Sequence, residues 1–174
     1  MEESNLSTRT VGIRYGIIIG IISATYFLVL SLLGIDQSEG ILKWLTTLFA
    51  AVFVFLAHKY YKENGDGFMS YGQGVGISFW LALITELIGV ATFYIYTKFV
   101  DSNFITTIRN REMEKMVEKG ISQEQIDSTM VFVDKMMNPE VMSIFAFIVG
   151  LVTIVILGLV ISYFTKKENQ EVIS

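Results

Sequence analysis

Cysteine is absent from this chain of 174 residues, and histidine and proline occur once each, as His58 and Pro139. Without cysteine the chain can form no disulfide framework, no thiolate metal site and no cysteine nucleophile. A single histidine leaves little for a metal site or for general-base chemistry. Charged residues are also scarce, at 17% against about 25% in ordinary soluble domains. With 52% hydrophobic residues, the composition argues against a soluble globular protein.

The hydrophobic residues are concentrated in four runs that are separated by polar segments. An α-helix rises 1.5 Å per residue, so about 20 apolar residues cross the roughly 30 Å hydrocarbon core of a membrane. The first run is uncharged from after Arg14 through Leu33. We therefore predict an all-α fold, an integral membrane bundle of four transmembrane helices that makes up a single membrane domain, residues 1–174. The predicted spans are residues 11–33, 41–57, 75–98 and 140–164.

The distribution of basic residues predicts the orientation of these spans. Basic residues favour the cytoplasmic side of a membrane, and the first helix usually dominates. Six basic residues would lie on one side of the bundle: Arg9, Arg14, Lys59, Lys62, Lys166 and Lys167. Lys98 and five basic residues in the long third loop oppose them. Because Arg9 and Arg14 precede the uncharged stretch of the first span, we predict that both termini are cytoplasmic.

A soluble helical hairpin is expected between the third and fourth spans, in residues 102–137. Gly120 can end its first helix. In the stretch "ISQEQI", Ser122 is a candidate N-cap, and Gln125 is its capping-box partner three residues later. Asn138 followed by Pro139 repeats the signal, because proline is favoured at the first position of a helix. This second signal predicts the start of the fourth span.

One apolar face runs along the second helix of this hairpin, where Ile126, Met130, Val133 and Met137 follow helical spacing. We favour packing of this face against the other hairpin helix or the lipid headgroups. The alternative is a binding surface for a protein partner, since methionine is an adaptable contact residue. Copper binding is disfavoured, because the spacing of the methionines does not repeat and the hairpin lacks histidine.

Glycine recurs at every fourth residue of the first span, at Gly12, Gly16 and Gly20. Such a ridge lets another helix approach closely in a membrane. Packing within the four-helix bundle is favoured over a dimer face, since a small bundle itself needs close helix contacts.

Three stretches carry a resemblance to a known family: "GFMSYGQG" before the third span, "YTKFVDSNFI" after it, and "EKMVEKGISQEQIDSTMVFVDKMMNPEVMSIFAFIVGLV" leading into the fourth. From about Thr10 to Lys167 the chain resembles an uncharacterised family of bacterial four-helix membrane proteins, a domain-of-unknown-function family. The resemblance implies the four-helix membrane fold and a bacterial inner-membrane location. It implies no activity.

An acid lies in the middle of the third span, where Glu86 interrupts "LALITELIGVATFY". An ionised carboxylate at the centre of a bilayer costs about 2.5–3.5 kcal/mol on insertion scales. No basic residue lies at a matching depth in the other predicted spans, so the carboxyl is expected to face protein or water, or to be protonated and donate a hydrogen bond. Ser23, Thr25 and Thr153 are candidate partners. We favour this structural role, and the alternative is a proton or cation site.

The residues therefore predict an integral membrane protein that is not an enzyme, most simply a membrane adaptor or accessory subunit. The alternative is a small proton- or cation-linked carrier that works through Glu86. No catalytic, metal or cofactor site is expected, and His58 is interpreted as an anchor at the membrane interface. The expected partners are the lipid bilayer and either another protein or further copies of the chain. Nucleic acid is not expected, because the net charge is −4.

Overall fold

Six α-helices form the part of the chain that the computed structural model describes, which comprises residues 6–37 and 40–168. In chain order they are α1 (Thr8–Leu32), α2 (Leu42–Asn64), α3 (Tyr71–Ile95), α4 (Phe104–Glu118), α5 (Gln123–Met136) and α6 (Pro139–Thr165). A π-helical turn, Tyr96–Val100, continues α3. Four segments are long and apolar enough to cross a membrane: Thr8–Leu32, Leu42–Asn64, Tyr71–Val100 and Pro139–Thr165. This confirms the all-α fold with four candidate spans and fits a multi-pass membrane protein.

The helix starts that the sequence predicted are formed by the expected caps. The hydroxyl of Ser122 accepts a hydrogen bond from the Gln125 amide (3.4 Å), and the side-chain oxygen of Asn138 accepts one from the Val141 amide (2.9 Å). Pro139 is the first residue of α6. Gly120, with φ +72°, lies just after α4 in the left-handed region that favours glycine.

α2 and α3 extend furthest beyond their predicted limits. α3 begins at Tyr71 because Ser70 and Gln73 form a capping box, in which the Ser70 amide donates to the Gln73 side chain (2.7 Å) and the Gln73 amide donates to the Ser70 hydroxyl (3.2 Å). α2 continues through polar residues to Asn64. The predicted limits marked the ends of the apolar runs, whereas a helix ends where capping or glycine ends it.

The described helices belong to two compact units. The first unit contains residues Met1–Gly89 and Ile148–Ser174, and the second contains Val90–Phe147. Contacts alone define these units, so the single membrane domain stays a prediction. The core of the first unit is built from small and branched apolar side chains of all four spans: Val11, Ile19, Ala50, Val54, Ala57, Ile77, Leu81, Ala82 and Ile154, with Met69 from the loop after α2.

The outward faces of the first unit are apolar as well, which is the pattern that helices in contact with lipid require. Exposed large hydrophobic residues occur on every span of this unit, among them Ile21, Val52, Phe79 and Ile156. A soluble bundle would carry polar residues at such positions. The first unit therefore has an apolar outer surface as well as an apolar core.

The glycine ridge of α1 is an internal packing face of the first unit. A β-carbon at Gly12 would lie 2.6 Å from the carbonyl oxygen of Ile77, and one at Gly16 would lie 2.8 Å from the carbonyl oxygen of Leu81. At Gly20 the nearest atom would be the flexible end of the Ile88 side chain, at 2.6 Å. The backbones of α1 and α3 thus approach too closely for any side chain at the first two positions.

The second unit contains the predicted hairpin. Its helices are joined by Arg109 of α4, whose Nε and Nη2 donate to the two carboxylate oxygens of Asp134 in α5 (2.5 and 3.1 Å). The Arg109 guanidinium holds the pKa of the Asp134 carboxyl below its usual value. Because both side chains are partly exposed, this pair specifies the pairing of the helices more than it stabilises them.

The methionine face of α5 lies mainly inside the hairpin. Ile126 and Met130 are buried, and Val133 and Met137 are half-buried. The partner surface that includes Met130 and Met137 stays a prediction, and Met130 has only 6% of its surface exposed. The apolar side chains that α5 does expose are Val131 and Phe132, at 62% and 65%.

Candidate functional site

A half-open cavity of about 270 Å³ is formed by the first unit and contains the acid that the sequence singled out. All four spans contribute to its wall: Ile19 and Ser23 from α1, Thr46, Thr47 and Ala50 from α2, Thr85, Glu86 and Gly89 from α3, and Gly150, Thr153 and Ile154 from α6. Among these lining residues Glu86 is the only ionisable one. The cavity therefore combines one carboxyl group with five hydroxyl groups in an otherwise apolar wall.

The carboxyl group of Glu86 lies directly against Gly150 of α6. A β-carbon added at Gly150 would overlap the carboxyl carbon and both carboxyl oxygens of Glu86. A glycine at this position therefore leaves the space that the acid occupies. Glu86 forms neither a hydrogen bond nor an ion pair with any residue in the described ranges, and its side chain is only half-buried. The carboxyl is thus held in place by shape and is free to bind a ligand in the cavity.

Two hydroxyl groups of the wall have their hydrogen atoms directed at backbone carbonyls. The Thr85 hydroxyl donates across to the Gly16 carbonyl of α1 (3.3 Å), and the Thr153 hydroxyl donates to the Val149 carbonyl of its own helix (2.7 Å). A hydroxyl group has one donor hydrogen and two acceptor lone pairs. These two side chains can therefore offer a ligand only oxygen lone pairs.

The candidate hydrogen-bond partners of Glu86 differ in position. Ser23 and Thr153 line the cavity together with the acid, whereas Thr25 is exposed and does not line it. The Thr25 hydroxyl donates to the Ile21 carbonyl in its own helix (2.9 Å). The other predicted residues lie outside the cavity: Gly12, Gly16 and Gly20 pack α1 against α3, and Met130 and Met137 belong to the hairpin of the second unit.

The interpretation of His58 as an interfacial anchor is wrong. Its side chain is completely buried in the first unit, with 0% exposure. Nε2 donates to the carbonyl of Gly74 in α3 (2.9 Å), because a carbonyl oxygen can only accept, and Nδ1 is paired with the hydroxyl of Thr165 in α6 (2.8 Å). Lys62 adds a bond from its ammonium group to the Thr165 carbonyl (2.8 Å). His58 therefore joins three spans through hydrogen bonds.

Several residues of these sites had no assigned role in the sequence. Thr46, Thr47 and Thr85 are ordinary residues in apolar helices until the fold brings them to one cavity. Gly150 offered a weak signal, as the one glycine in the bulky stretch "FIVGLVTI". In the described part of the chain no three His, Asp or Glu side chains lie together as metal ligands would.

Comparison with protein families gives a match over nearly the whole chain. The family described as protein of unknown function DUF4199 matches residues 14–167. The chain belongs to this family. That result confirms the resemblance to an uncharacterised domain family. The part that matches DUF4199 includes the Glu86 cavity, the hairpin and the four spans apart from residues 8–13. Comparisons with curated proteins and with solved structures gave no match.

Proposed function

We propose that this DUF4199 protein is a small membrane carrier in which Glu86 binds a proton and a cation in alternation. The observation that carries the proposal is the position of the Glu86 carboxyl: near the middle of the Tyr71–Val100 span, unpaired, and facing a cavity that all four spans build. A purely structural acid would be expected to hydrogen-bond to a neighbouring helix. Intramembrane acids that face a cavity often mark proton or ion pathways.

The free-energy cost of an isolated charge in the membrane couples proton binding to cation binding at Glu86. An ionised carboxylate in the bilayer centre is unfavourable by about 2.5–3.5 kcal/mol, so Glu86 is stable there with either a bound proton or a bound cation. When the cation binds, the proton leaves the carboxyl oxygen, and the net charge of the site does not change. The two ligands therefore exchange one for one.

We also propose that the protein is not an enzyme. The cavity contains one acid and several hydroxyl groups, with neither a second carboxylate nor a histidine among its lining residues. A nucleophile needs an adjacent base, and acid–base catalysis needs a partner for the acid. Binding and release are the chemistry that this residue set supports.

Transport by reconstituted protein tests the carrier. The purified protein is reconstituted in liposomes that enclose a pH-sensitive dye. Gradients of sodium, potassium, choline or gluconate salts are applied one at a time, and the internal pH is recorded. We expect at least one cation gradient to move protons in the opposite direction. Glu86→Gln should reduce this movement to that of protein-free liposomes, because an amide keeps the shape and cannot exchange a proton.

A pair of glycine variants tests whether transport depends on the position of the Glu86 carboxyl and not only on its presence. Gly150→Ala forces the Glu86 side chain away from α6, and we expect it to reduce proton movement at least tenfold while the fold is kept, because the displaced group is the end of a flexible side chain. Gly72→Ala adds a methyl group in open space in the helix that contains Glu86 but outside the cavity, and it should leave transport intact. Proton movement that survives Glu86→Gln, or equal effects of the two glycine variants, would contradict the proposal.

We further propose a bacterial inner-membrane location with both termini cytoplasmic, on the basis of the resemblance and of the basic residues around the first span. The termini, residues 1–5 and 169–174, lie outside the described ranges. The loop after α2 lies on the same side as the C-terminal end of α6, because Met69 and Lys167 exchange two backbone hydrogen bonds of 2.9 Å each.

Single-cysteine labelling tests this topology in a chain that has no native cysteine. Ser128→Cys in the hairpin should react with an impermeant reagent added outside the cell. Asn64→Cys at the end of α2 should react only after the membrane is opened, as should Ser174→Cys in the tail. Labelling in the reverse pattern would show that the orientation is inverted.

A second candidate function, a membrane adaptor, is supported by the apolar surface that the hairpin exposes. Val117 of α4 and Val131 and Phe132 of α5 are each more than half exposed, at 59%, 62% and 65%. Such residues fit contact with a protein partner, another copy of the chain or the membrane surface. The carrier is preferred because its site also contains a group with defined chemistry.

A further inference from the structure

We infer that the cation carried through the Glu86 cavity is a small organic cation with an ammonium group. The inference rests on the proposed carrier function and adds the class of its cargo. It follows from three properties of the cavity wall: its charge, the direction of its hydroxyl hydrogens, and its apolar area.

The charge of the wall selects a cation. Glu86 is the only ionisable residue that lines the cavity. The cavity lies among apolar helices, where charge interactions are stronger than in water. An anion would find no cation in the wall to neutralise it, and it could not replace the proton on Glu86. A neutral solute would gain nothing from displacing the proton.

Two of the five hydroxyl groups in the wall strengthen this selection. Thr85 and Thr153 direct their hydrogens at carbonyl oxygens of Gly16 and Val149, at 3.3 and 2.7 Å. Their oxygens therefore present partial negative charge to the cavity and no donor hydrogen. A ligand rich in acceptors, such as a sugar phosphate or a carboxylate, would find no donor on these side chains. A positively charged ligand is favoured by both oxygens and by the Glu86 carboxylate.

The remaining wall distinguishes an organic cation from a metal ion. Ile19, Ala50 and Ile154 contribute apolar side chains to the cavity wall. Hard metal cations prefer a shell of about six or more oxygen ligands. Here the oxygen ligands, one carboxylate and five hydroxyls, come from four different helices around a volume of about 270 Å³, much of which would stay empty around a bare ion. The alkyl groups of an organic ammonium ion would instead contact the apolar side chains.

The exchange is balanced in atoms and charge. The protonated Glu86 carboxyl loses its proton to water as the ammonium ion enters, and the carboxylate and the ammonium ion remain as a neutral pair. No covalent bond other than the O–H bond of the carboxyl is broken. Binding of each cation therefore releases one proton.

Proton release provides a direct test with the full chain in lipid nanodiscs. Choline chloride, sodium chloride and the uncharged isostere of choline, in which carbon replaces nitrogen, are added separately to protein in weakly buffered solution with a pH indicator. Choline cannot cross or bind as a neutral base, because its nitrogen carries a permanent charge. We expect choline to release one proton per chain and to bind at least tenfold more tightly than sodium, and we expect the isostere to release none.

A matched threonine pair tests the site while the acid is kept. Thr153→Val and Thr25→Val remove the same hydroxyl from equivalent positions, each bonded to the carbonyl four residues earlier, but only Thr153 lines the cavity. We expect Thr153→Val to weaken choline binding several-fold and Thr25→Val to leave it unchanged. Glu86→Gln should abolish proton release and weaken choline binding by about 100-fold.

The outcomes separate the inference from the carrier function. Proton exchange with sodium or potassium at equal or higher affinity would overturn the organic cation and leave the carrier in place, whereas exchange driven only by gluconate, an anion, would overturn both. Equal effects of Thr153→Val and Thr25→Val would overturn this cavity as the binding site. If no gradient moves protons through the parent protein in liposomes, the carrier function fails, and the inference fails with it.

Discussion

Gly12→Ala is expected to destabilise the packing of α1 against α3 and to lower the free energy of unfolding by about 1–3 kcal/mol, the usual cost of overpacking. The added methyl group would lie 2.6 Å from the Ile77 carbonyl oxygen and 2.6 Å from the Trp80 β-carbon. Neither atom can move without its helix. The helices must therefore separate, and the other contacts along the ridge are weakened as well.

Two further glycines provide the controls for this prediction. At Gly20 the methyl group would meet the flexible end of Ile88, so Gly20→Ala should cost less than Gly12→Ala. Gly72 is the second residue of α3, and a β-carbon added there would have no atom within 4 Å. Gly72→Ala should be neutral or stabilising by about 0.5–1 kcal/mol, because alanine favours the helix. Equilibrium unfolding in mixed detergent measures the free energy of unfolding of all three variants. Equal losses of stability in Gly12→Ala and Gly72→Ala would contradict the internal role of the ridge.

His58→Ala is expected to lower the free energy of unfolding by an amount on the order of 3 kcal/mol. The substitution leaves a cavity where α2, α3 and α6 meet and removes the bonds to Gly74 and Thr165. Some polar groups keep a partner, since the Thr165 hydroxyl also bonds the Ile161 carbonyl (2.8 Å). Lost volume is therefore a large part of the expected cost.

Variants at and beside His58 make this second prediction specific. His58→Gln keeps a side-chain N–H donor and should be less destabilising than alanine. Lys59→Ala removes the neighbouring exposed residue, whose ion pair with Glu63 has side chains 57% and 60% exposed, and should change stability by less than about 0.5 kcal/mol. Thermal unfolding followed by tryptophan fluorescence measures each. If His58→Ala unfolds at the same temperature as the parent protein, the hydrogen bonds seen around His58 do not hold the spans together.

Local signals in the sequence predicted the helices well. The caps at Ser122 and Asn138 and the left-handed glycine at Gly120 act within a few residues, so their effect does not depend on the rest of the fold. The four spans were equally accessible, because membrane insertion depends on the length and hydrophobicity of each segment. The capping box of Ser70 and Gln73 was present in the sequence in the same form.

Sites that involve several helices were harder to predict. The sequence drew attention to Glu86 by its charge and to the glycine ridge by its spacing. It did not show that Gly150 makes room for the acid or that Thr85 bonds to α1. It also suggested the wrong environment for His58, because the polar residues beside it, Lys59 and Tyr60, resemble a membrane interface.

The sequence by itself determined the class of this protein: an all-α chain with four apolar spans, a capped hairpin and one acid in the middle of a span. These properties depend on residue type and on spacing along one helix. Only the tertiary structure decided that Glu86 faces a cavity lined with hydroxyl groups and that His58 is buried between three spans. The rotation of each helix about its axis and the identity of its neighbours decide such environments, and both depend on contacts between residues that are far apart in the chain.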